Sequence, residues 1–374
     1  MNNPKKKAAP PRNGILICGA YGLGNAGDEA ILTAILREVR SVAPEAEITV
    51  LSRNAPETAA QYGVHALHMF DLPGMRRVLR STRLYINGGG SLIQDATSRR
   101  SLWYYLYTLH AAKARGCRVL MYGCGIGPVT NAQDRRMARQ VLNRSVDAVT
   151  LREADSLREL EAMGVTKPEI ILSADPALTL EPAADAEVDA LLERNGIPPH
   201  GRYLCFALRE WKGWRKKIPV FQAAARYAWE KHGLTPVFVA IEKRQDPAAH
   251  RPVAEGLDVP HYFLDDAGGP GTIIGALSRM EVVVSMRLHA LIFAAGQGVP
   301  LVGVVYDPKV SAFLRYMEQD LFTDLDSLDT PGLLSMLDRA VERARDRESQ
   351  AAAVRRLREL EARNAAAARK LLDM

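Results

Sequence analysis

The feature that most restricts the fold is a repeated alternation of a short apolar run, a glycine- or polar-rich joint, and a longer segment with helical periodicity. "GILICGA" runs into "DEAILTAILREVR", where Ile31, Ile35 and Val39, with Leu32 and Leu36, form one apolar stripe. "AEITVLSRN", "RLYINGGG", "RVLMYGCGIGP", "DAVTLRE" and "PEIILSADP" continue the pattern. It restarts after an Ala/Pro/acid-rich stretch with "RYLCFALRE", "TPVFVAIEK", "EVVVSMR" and "PLVGVVYD". Units of this kind predict parallel sheets covered by helices on both faces. Two such series predict an α/β protein with two Rossmann-like domains facing a cleft. The expected division is a basic lead-in over 1–12, an N-terminal domain over 13–176, a linker over 177–200, a C-terminal domain over 201–325 and a helical segment over 326–374. The charges of that last segment are expected to solvate an outer face.

Ligands of parallel sheets bind at the carboxyl ends of the strands. Three of those ends are glycine-rich, at Gly19–Gly27, Gly88–Gly90 and Gly123–Gly127. Gly22-x-Gly24-x-x-Gly27 has the spacing of a dinucleotide turn, but Asp28 and Glu29 stand where a pyrophosphate would sit. At ~4 Å each would repel a phosphate charge by roughly 4 kcal/mol at an effective dielectric of 20. The second strand ends in Leu51-Ser52-Arg53 without the acid that a ribose requires; Arg53 leaves a 2′-phosphate open. Asn25, Asp28 and Glu29 suit sugar hydroxyls better, since carboxylates accept their hydrogen bonds and can take a proton from an attacking alcohol. Helix capping by Asn25, with both acids complementing the dipole, explains the same residues without a ligand.

Bulk properties narrow the partners. The net charge of +6 and pI near 9.1 favour anionic small molecules or anionic lipid, and no nucleic-acid-binding signature accompanies them. No apolar run is long enough to span a membrane. Cys18, Cys117, Cys124 and Cys205 are scattered through apolar runs, as reduced core thiols are, so a cytoplasmic location is expected.

"GAYGLGNAGDEAIL", "NGGGSLIQDATSRRSLWYY", "YGCGIGP", "TLREADSLRELEAMGV", "SADPAL", "ALREW" and "SMRLHALIFAAGQGVPLVGVVYDPKV" occur in this order over residues 14–318. Together they resemble the polysaccharide pyruvyl transferase family, in particular its S-layer-anchoring type. Members often carry Met between the Arg and His of the last motif, where Leu288 stands here. The resemblance implies a two-domain architecture like that of GT-B glycosyltransferases, with phosphoenolpyruvate as co-substrate, no cofactor and no metal. It implies a pyruvate ketal placed across O4 and O6 of N-acetylmannosamine on an undecaprenyl-diphosphate-linked disaccharide. The alternative is a GT-B glycosyltransferase or epimerase acting on a nucleotide sugar, with Glu242 or Asp265 on the ribose.

Phosphoenolpyruvate carries phosphate and carboxylate on three carbons, so several cations must converge on it. Arg152, Arg209 and Arg287 stand at strand ends, Lys309 follows the last strand, and His289 is expected at the N-terminus of a buried helix. These five form the expected donor site. Asn25, Asp28, Asn87, Gly88, Gly89 and Gln94 form the expected acceptor site. Asp28 or Glu29 would hold or deprotonate the acceptor, and His289 with Arg287 would act on the donor. Asp95 is a further candidate, and the group that protonates C3 is left open. "SLWYYLYTLH" reads as a helix packed on the sheet. "REWKGWRKKIP", with Trp211 and Trp214 among Lys212, Arg215, Lys216 and Lys217, could meet an anionic membrane surface. The oligomeric state is not readable.

Overall fold

The computed structural model describes residues 12–373, so the lead-in before residue 12 lies outside the described residues. Among the described residues thirteen strands form two sheets. The first contains β1 (Gly14–Cys18), β2 (Ile48–Ser52), β3 (His65–His68), β4 (Thr82–Ile93), β5 (Arg118–Ile126), β6 (Ala148–Leu151) and β7 (Glu169–Leu172), in the spatial order 3-2-1-4-5-6-7. The second contains β8 (Tyr203–Ala207), β9 (Thr235–Val239), β10 (Tyr262–Leu264), β11 (Val282–Ser285), β12 (Leu301–Val305) and β13 (Phe322–Asp324), in the order 10-9-8-11-12-13. Every pairing is parallel. Both sheets reverse direction beside their first strand (β1/β4 and β8/β11), the switch point where α/β sheets bind ligands.

The strands are buried on both faces and therefore read as continuous apolar runs. The strands β3 and β13 lack that composition and β10 is only three residues long, and none of the three is among the expected strands. Helix Ala26–Val42 starts at Asn25, whose Oδ1 accepts from Gly27 N at 2.9 Å, and its Ile31, Leu32, Ile35, Leu36 and Val39 are buried. Helix Leu288–Gly296 is apolar on nearly every side because it is packed all round. One face meets the 3-10 turn Pro176–Thr179, and a side chain at Gly296 would strike Leu178 O at 2.7 Å. The apolar core is thus continuous between the two sheets.

The last helix, Arg347–Asp373, keeps the charges of Arg355, Arg356, Glu359 and Arg369 on an exposed outer face, as expected, and turns its apolar face inward. It returns to the first sheet and buries Leu357, Ala367, Ala368 and Leu371 in that shared core. Asn364 Nδ2 donates to Ala174 O at 3.0 Å, and Lys370 pairs with Glu169 at 2.7 Å. Among the described residues no helix is long and apolar enough to cross a membrane. All four cysteines are buried and free.

Candidate active site

A cavity of about 500 Å³ opens between the carboxyl ends of the two sheets. The first domain contributes Asp28, Gly90, Ser91, Gln94, Tyr105 and Arg152; the second contributes Arg209, Arg287, His289, Tyr306 and Lys309.

Local chain geometry delivers each group. Arg287 directly follows β11. Its N–H donates to Ser285 Oγ at 2.8 Å, which turns the chain into the next helix. Its guanidinium lies along buried Asp246, with Nε donating to Oδ1 at 2.8 Å and Nη2 to the same oxygen. His289 sits in the first turn of that helix. Gly27 gives it room: a Cβ there would lie 1.9 Å from His289 Nδ1. Its Nε2 is buried without a hydrogen-bond partner and faces Asp175 Oδ2 at 3.9 Å. Burial first, then the Arg152, Lys309 and Arg287 charges, depress its pKa to about 4 against the opposing pull of Asp175. The imidazole is therefore neutral near pH 7.

Arg152, after β6, is buried among Glu153 Oε2 (2.9 Å), Asp175 Oδ2 (2.9 Å) and Ser91 Oγ (3.1 Å). Burial opposes its charge, but Glu153 and Asp175 outweigh that and raise its pKa. Arg209, after β8, is held differently. Nη1 donates to Tyr306 Oη at 2.9 Å, and the guanidinium carbon lies 4.9 Å from the Tyr306 ring centre and 5.3 Å from that of Trp211. Among the described residues no carboxylate is ion-paired with it. Lys309 Nζ lies 3.5 Å from Asp307 Oδ2.

Opposite these cations stands Asp28. Burial first, and then Glu29, push its carboxyl up to about 7, although Lys309 and Arg152 pull the other way. The helix N-terminus also favours the charged form, so burial is the dominant influence. The result is a carboxyl shared between protonated and ionised forms at neutral pH.

Several expected site residues lie elsewhere. Glu29 turns away from the cavity: its Oε1 accepts from Gly22 N at 2.7 Å and its Oε2 from Tyr62 Oη at 2.8 Å. It borders a separate recess of about 150 Å³ and is a brace for the glycine loop. Gly88 and Gly89 do not line the cavity. They admit helix Ala26–Val42, since a Cβ at Gly88 would meet Ile35 Cδ1 at 2.6 Å and one at Gly89 would meet Ile31 Cγ2 at 2.2 Å. Gly90 and Ser91 line it instead. Asn87 is wholly buried within β4, and its amide has no protein partner. Asn25 and Gln94 do border the cavity; Asn25 Oδ1 is engaged in capping, and Gln94 Oε1 accepts from Thr97 N at 3.0 Å.

Asp95 accepts from Thr130 N (2.9 Å) and Asn131 N (2.7 Å). Those bonds outweigh burial and lower its pKa, the wrong direction for a proton donor. Glu242 and Asp265, the ribose candidates of the alternative reading, each have one oxygen engaged by the protein and one without a hydrogen-bond partner among the described residues. Glu242 Oε1 accepts from Arg244 N at 3.0 Å, and Asp265 pairs with Arg251. The Trp/Lys stretch divides: Trp214 is core, Lys217 Nζ is tied to Asp326 O and Leu328 O at 2.8 Å, and Trp211 alone of the two tryptophans is exposed. In "SLWYYLYTLH", Tyr105 reaches the cavity, whereas Trp103 is bonded outward to Asp134.

Sequence reasoning missed Asp175, Asp246, Ser91 and Gly27 as parts of the site. Asp175 lay in the quoted "SADPAL" without a role. Asp246 precedes Pro247 and looks like an ordinary helix cap.

Residues 25–308 match the polysaccharide pyruvyl transferase family. The chain belongs to that family. Membership carries a transferase role in the pyruvylation of polysaccharides during their biosynthesis. The amylovoran biosynthesis protein AmsJ of Erwinia amylovora is 23% identical over 291 residues, 71% of this chain and 67% of that protein. The fold of this chain is GT-B-like. A glycosyltransferase from Rickettsia africae superposes with a TM-score of 0.62 at 12% identity, covering 96% of this chain and 98% of that one. A UDP-GlcNAc 2-epimerase from Methanocaldococcus jannaschii gives 0.59 at 10% identity, covering 87% and 92%.

Proposed function

We propose that the protein moves the enolpyruvyl group of phosphoenolpyruvate onto a sugar, closes a pyruvate ketal across two hydroxyls and releases phosphate. The proposed acceptor is N-acetylmannosamine of an undecaprenyl-diphosphate-linked disaccharide, modified at O4 and O6 at the cytoplasmic face of the membrane. That choice follows the S-layer-anchoring motifs which the sequence resembles. No cofactor enters the scheme.

One observation carries the reading: Asp28, a carboxyl that burial holds at a pKa of about 7, faces a wall of Arg209, Arg287, His289 and Lys309 across one cavity. Ketal formation starts with a proton added to C3 of phosphoenolpyruvate, which leaves positive charge on C2. A sugar hydroxyl then attacks C2 and gives up its proton. The C2–O bond to phosphate breaks, and the second hydroxyl closes the ring with loss of its own proton. A carboxyl near pH 7 can supply the first proton and, once ionised, accept the next. The cations meet the carboxylate and the leaving phosphate. Neutral His289 donates or accepts a hydrogen bond at the donor; an arriving dianion offsets the positive field around it and raises its basicity.

Incubation with phosphoenolpyruvate and an aryl-tagged disaccharide, followed by mass spectrometry, tests the reading. A pyruvyl increment on the sugar with stoichiometric phosphate release is expected. Turnover of a nucleotide sugar with no such increment would replace it.

A further inference from the structure

Asp246 has no solvent exposure and uses both carboxylate oxygens fully. Oδ2 accepts from Ile241 N at 3.0 Å and Glu242 N at 2.9 Å. Oδ1 accepts from Arg287 Nε at 2.8 Å and from Nη2. Four donors fill the acceptor capacity of a carboxylate, so neither pair can shift without displacing the other.

The segment that Asp246 holds is one of the places where the second domain touches the first. Ile241 O accepts from Ala26 N at 2.9 Å, and Asn25 forms an isolated antiparallel bridge with Glu242. Ala26 is the first residue of the helix that carries Asp28 two positions later. An unbroken chain of contacts therefore runs from Arg287 through Asp246 and residues 241–242 to Ala26 and Asp28. His289, two residues from Arg287, abuts Gly27 of the same helix turn.

We propose that Asp246 is a positioning residue that links capture of an anionic donor by Arg287 to closure of the 241–242 segment on Ala26, and so to the placement of Asp28. The inference rests on the preceding reading that Arg287 faces phosphoenolpyruvate. Arg287 commits Nε and Nη2 to Asp246 and keeps Nη1 for a ligand. An anion drawn to that edge fixes the guanidinium, which fixes Asp246, which holds the two backbone N–H groups behind the bridge. Coupling of this kind is reciprocal.

Hydrogen exchange of the peptide covering residues 24–30 reads the bridge directly, with calorimetry reporting phosphoenolpyruvate binding on the same samples. In the wild type, saturating phosphoenolpyruvate is expected to slow exchange about tenfold, within the usual range of coupling between sites. Asp246→Asn retains the side-chain shape; it is expected to bind phosphoenolpyruvate and lose most of that protection. Equal protection in the two proteins, or none in the wild type with phosphoenolpyruvate bound, overturns the inference. Failure of the wild type to bind phosphoenolpyruvate at all is a different result and removes the donor reading beneath it.

Ala26→Pro is a second probe, independent of how Asp246→Asn folds. Proline is favoured at the first position of a helix, and Asn25 has the extended backbone that precedes proline readily. The substitution removes the N–H given to Ile241 and puts a ring carbon in its place, leaving the helix intact. Phosphoenolpyruvate affinity about tenfold weaker than wild type, as reciprocal coupling requires, with kcat reduced about 100-fold, is expected from loss of the bridge and misplacement of Asp28. An unchanged kcat would refute the role of the bridge.

Discussion

The two walls of the cavity handle charge in opposite ways. The second-domain wall presents Arg209, Arg287 and Lys309 as permanent cations, two of them beside carboxylates and Arg209 between aromatic rings. The first-domain wall presents Asp28, kept near neutrality by burial, and one cation, Arg152, whose charge is met by Glu153 and Asp175. A wall of fixed cations can hold an anion but has no proton to move at neutral pH. A wall whose cation is already matched by two carboxylates holds an anion poorly, but through Asp28 it can move a proton. Proton transfer to a bound dianion needs both, which makes the cleft between domains the place for such a reaction.

Removing the proton from this arrangement has the largest expected effect. Asp28→Asn should lower transfer by about 10²–10⁴-fold, the usual range for a general acid–base group, with phosphoenolpyruvate still bound by the opposite wall. In the wild type, activity that requires protonated Asp28 should be full below its pKa of about 7 and fall above it. Stability should move the other way. The folded carboxyl holds its proton more tightly than the unfolded one, whose reference value is 3.8, so the wild type loses stability as pH rises from about 4 to 7. The Asn variant has no such slope and should gain on the wild type across that window in a pH series of thermal melts. Parallel curves would mean that the carboxyl titrates normally.

Next comes the seam where the walls meet. Gly27 has no unusual backbone torsion, and what a Cβ there would meet is His289. Gly27→Ala should leave the helix slightly favoured by propensity and push the imidazole aside, lowering kcat about 100-fold. A crystal structure with His289 unmoved, or full activity, would show that the contact is not needed.

A smaller effect is expected within the cation wall. Arg209 lacks the carboxylate that accompanies Arg287, so its charge is the less offset of the two. Arg209→Gln should raise KM for phosphoenolpyruvate roughly tenfold or more, the equivalent of one charge-assisted hydrogen bond at 1.5–3 kcal/mol, with kcat less affected. A change in kcat alone would place Arg209 on the transition state and not on donor binding.

How far the sequence discloses this division depends on the kind of contact. The two sheets are legible because their strands, buried on both faces, stand out as apolar runs between helical stripes. The cations are legible because they follow those runs directly: Arg152 after β6, Arg209 after β8, Arg287 after β11. Asp175 and Asp246 are not, because they act by facing residues 23 and 41 positions away in the chain. The glycines misled for a related reason. Gly88 and Gly89 follow an apolar run as ligand-binding glycines do, yet β4 continues through them to Ile93 and the close approach they allow is that of a helix. Trp214 misled too: its basic neighbours gave the stretch a surface composition, but the 3-10 turn that follows Gly213 points the ring inward.

The smallest effect on activity, and the sharpest test of the comparison, concerns Glu29. It adjoins Asp28 in the sequence and carries the same functional group, but the helix turns it by about 100° to the other side. There it braces the glycine loop through Gly22 N and Tyr62 Oη. Glu29→Gln keeps an acceptor oxygen for one of those donors and loses the charge assistance at both, so about 1–2 kcal/mol of stability should go. Transfer activity should stay within a few-fold of wild type below the melting temperature. The charge removed also raises the pKa of Asp28 in the wild type. Its loss should therefore shift the alkaline limb of the pH–activity curve to lower pH, where Asp28 gives up its proton more readily. A variant as inactive as Asp28→Asn would mean that the proton passes through both carboxylates, and the first wall would then hold a pair and not a single group.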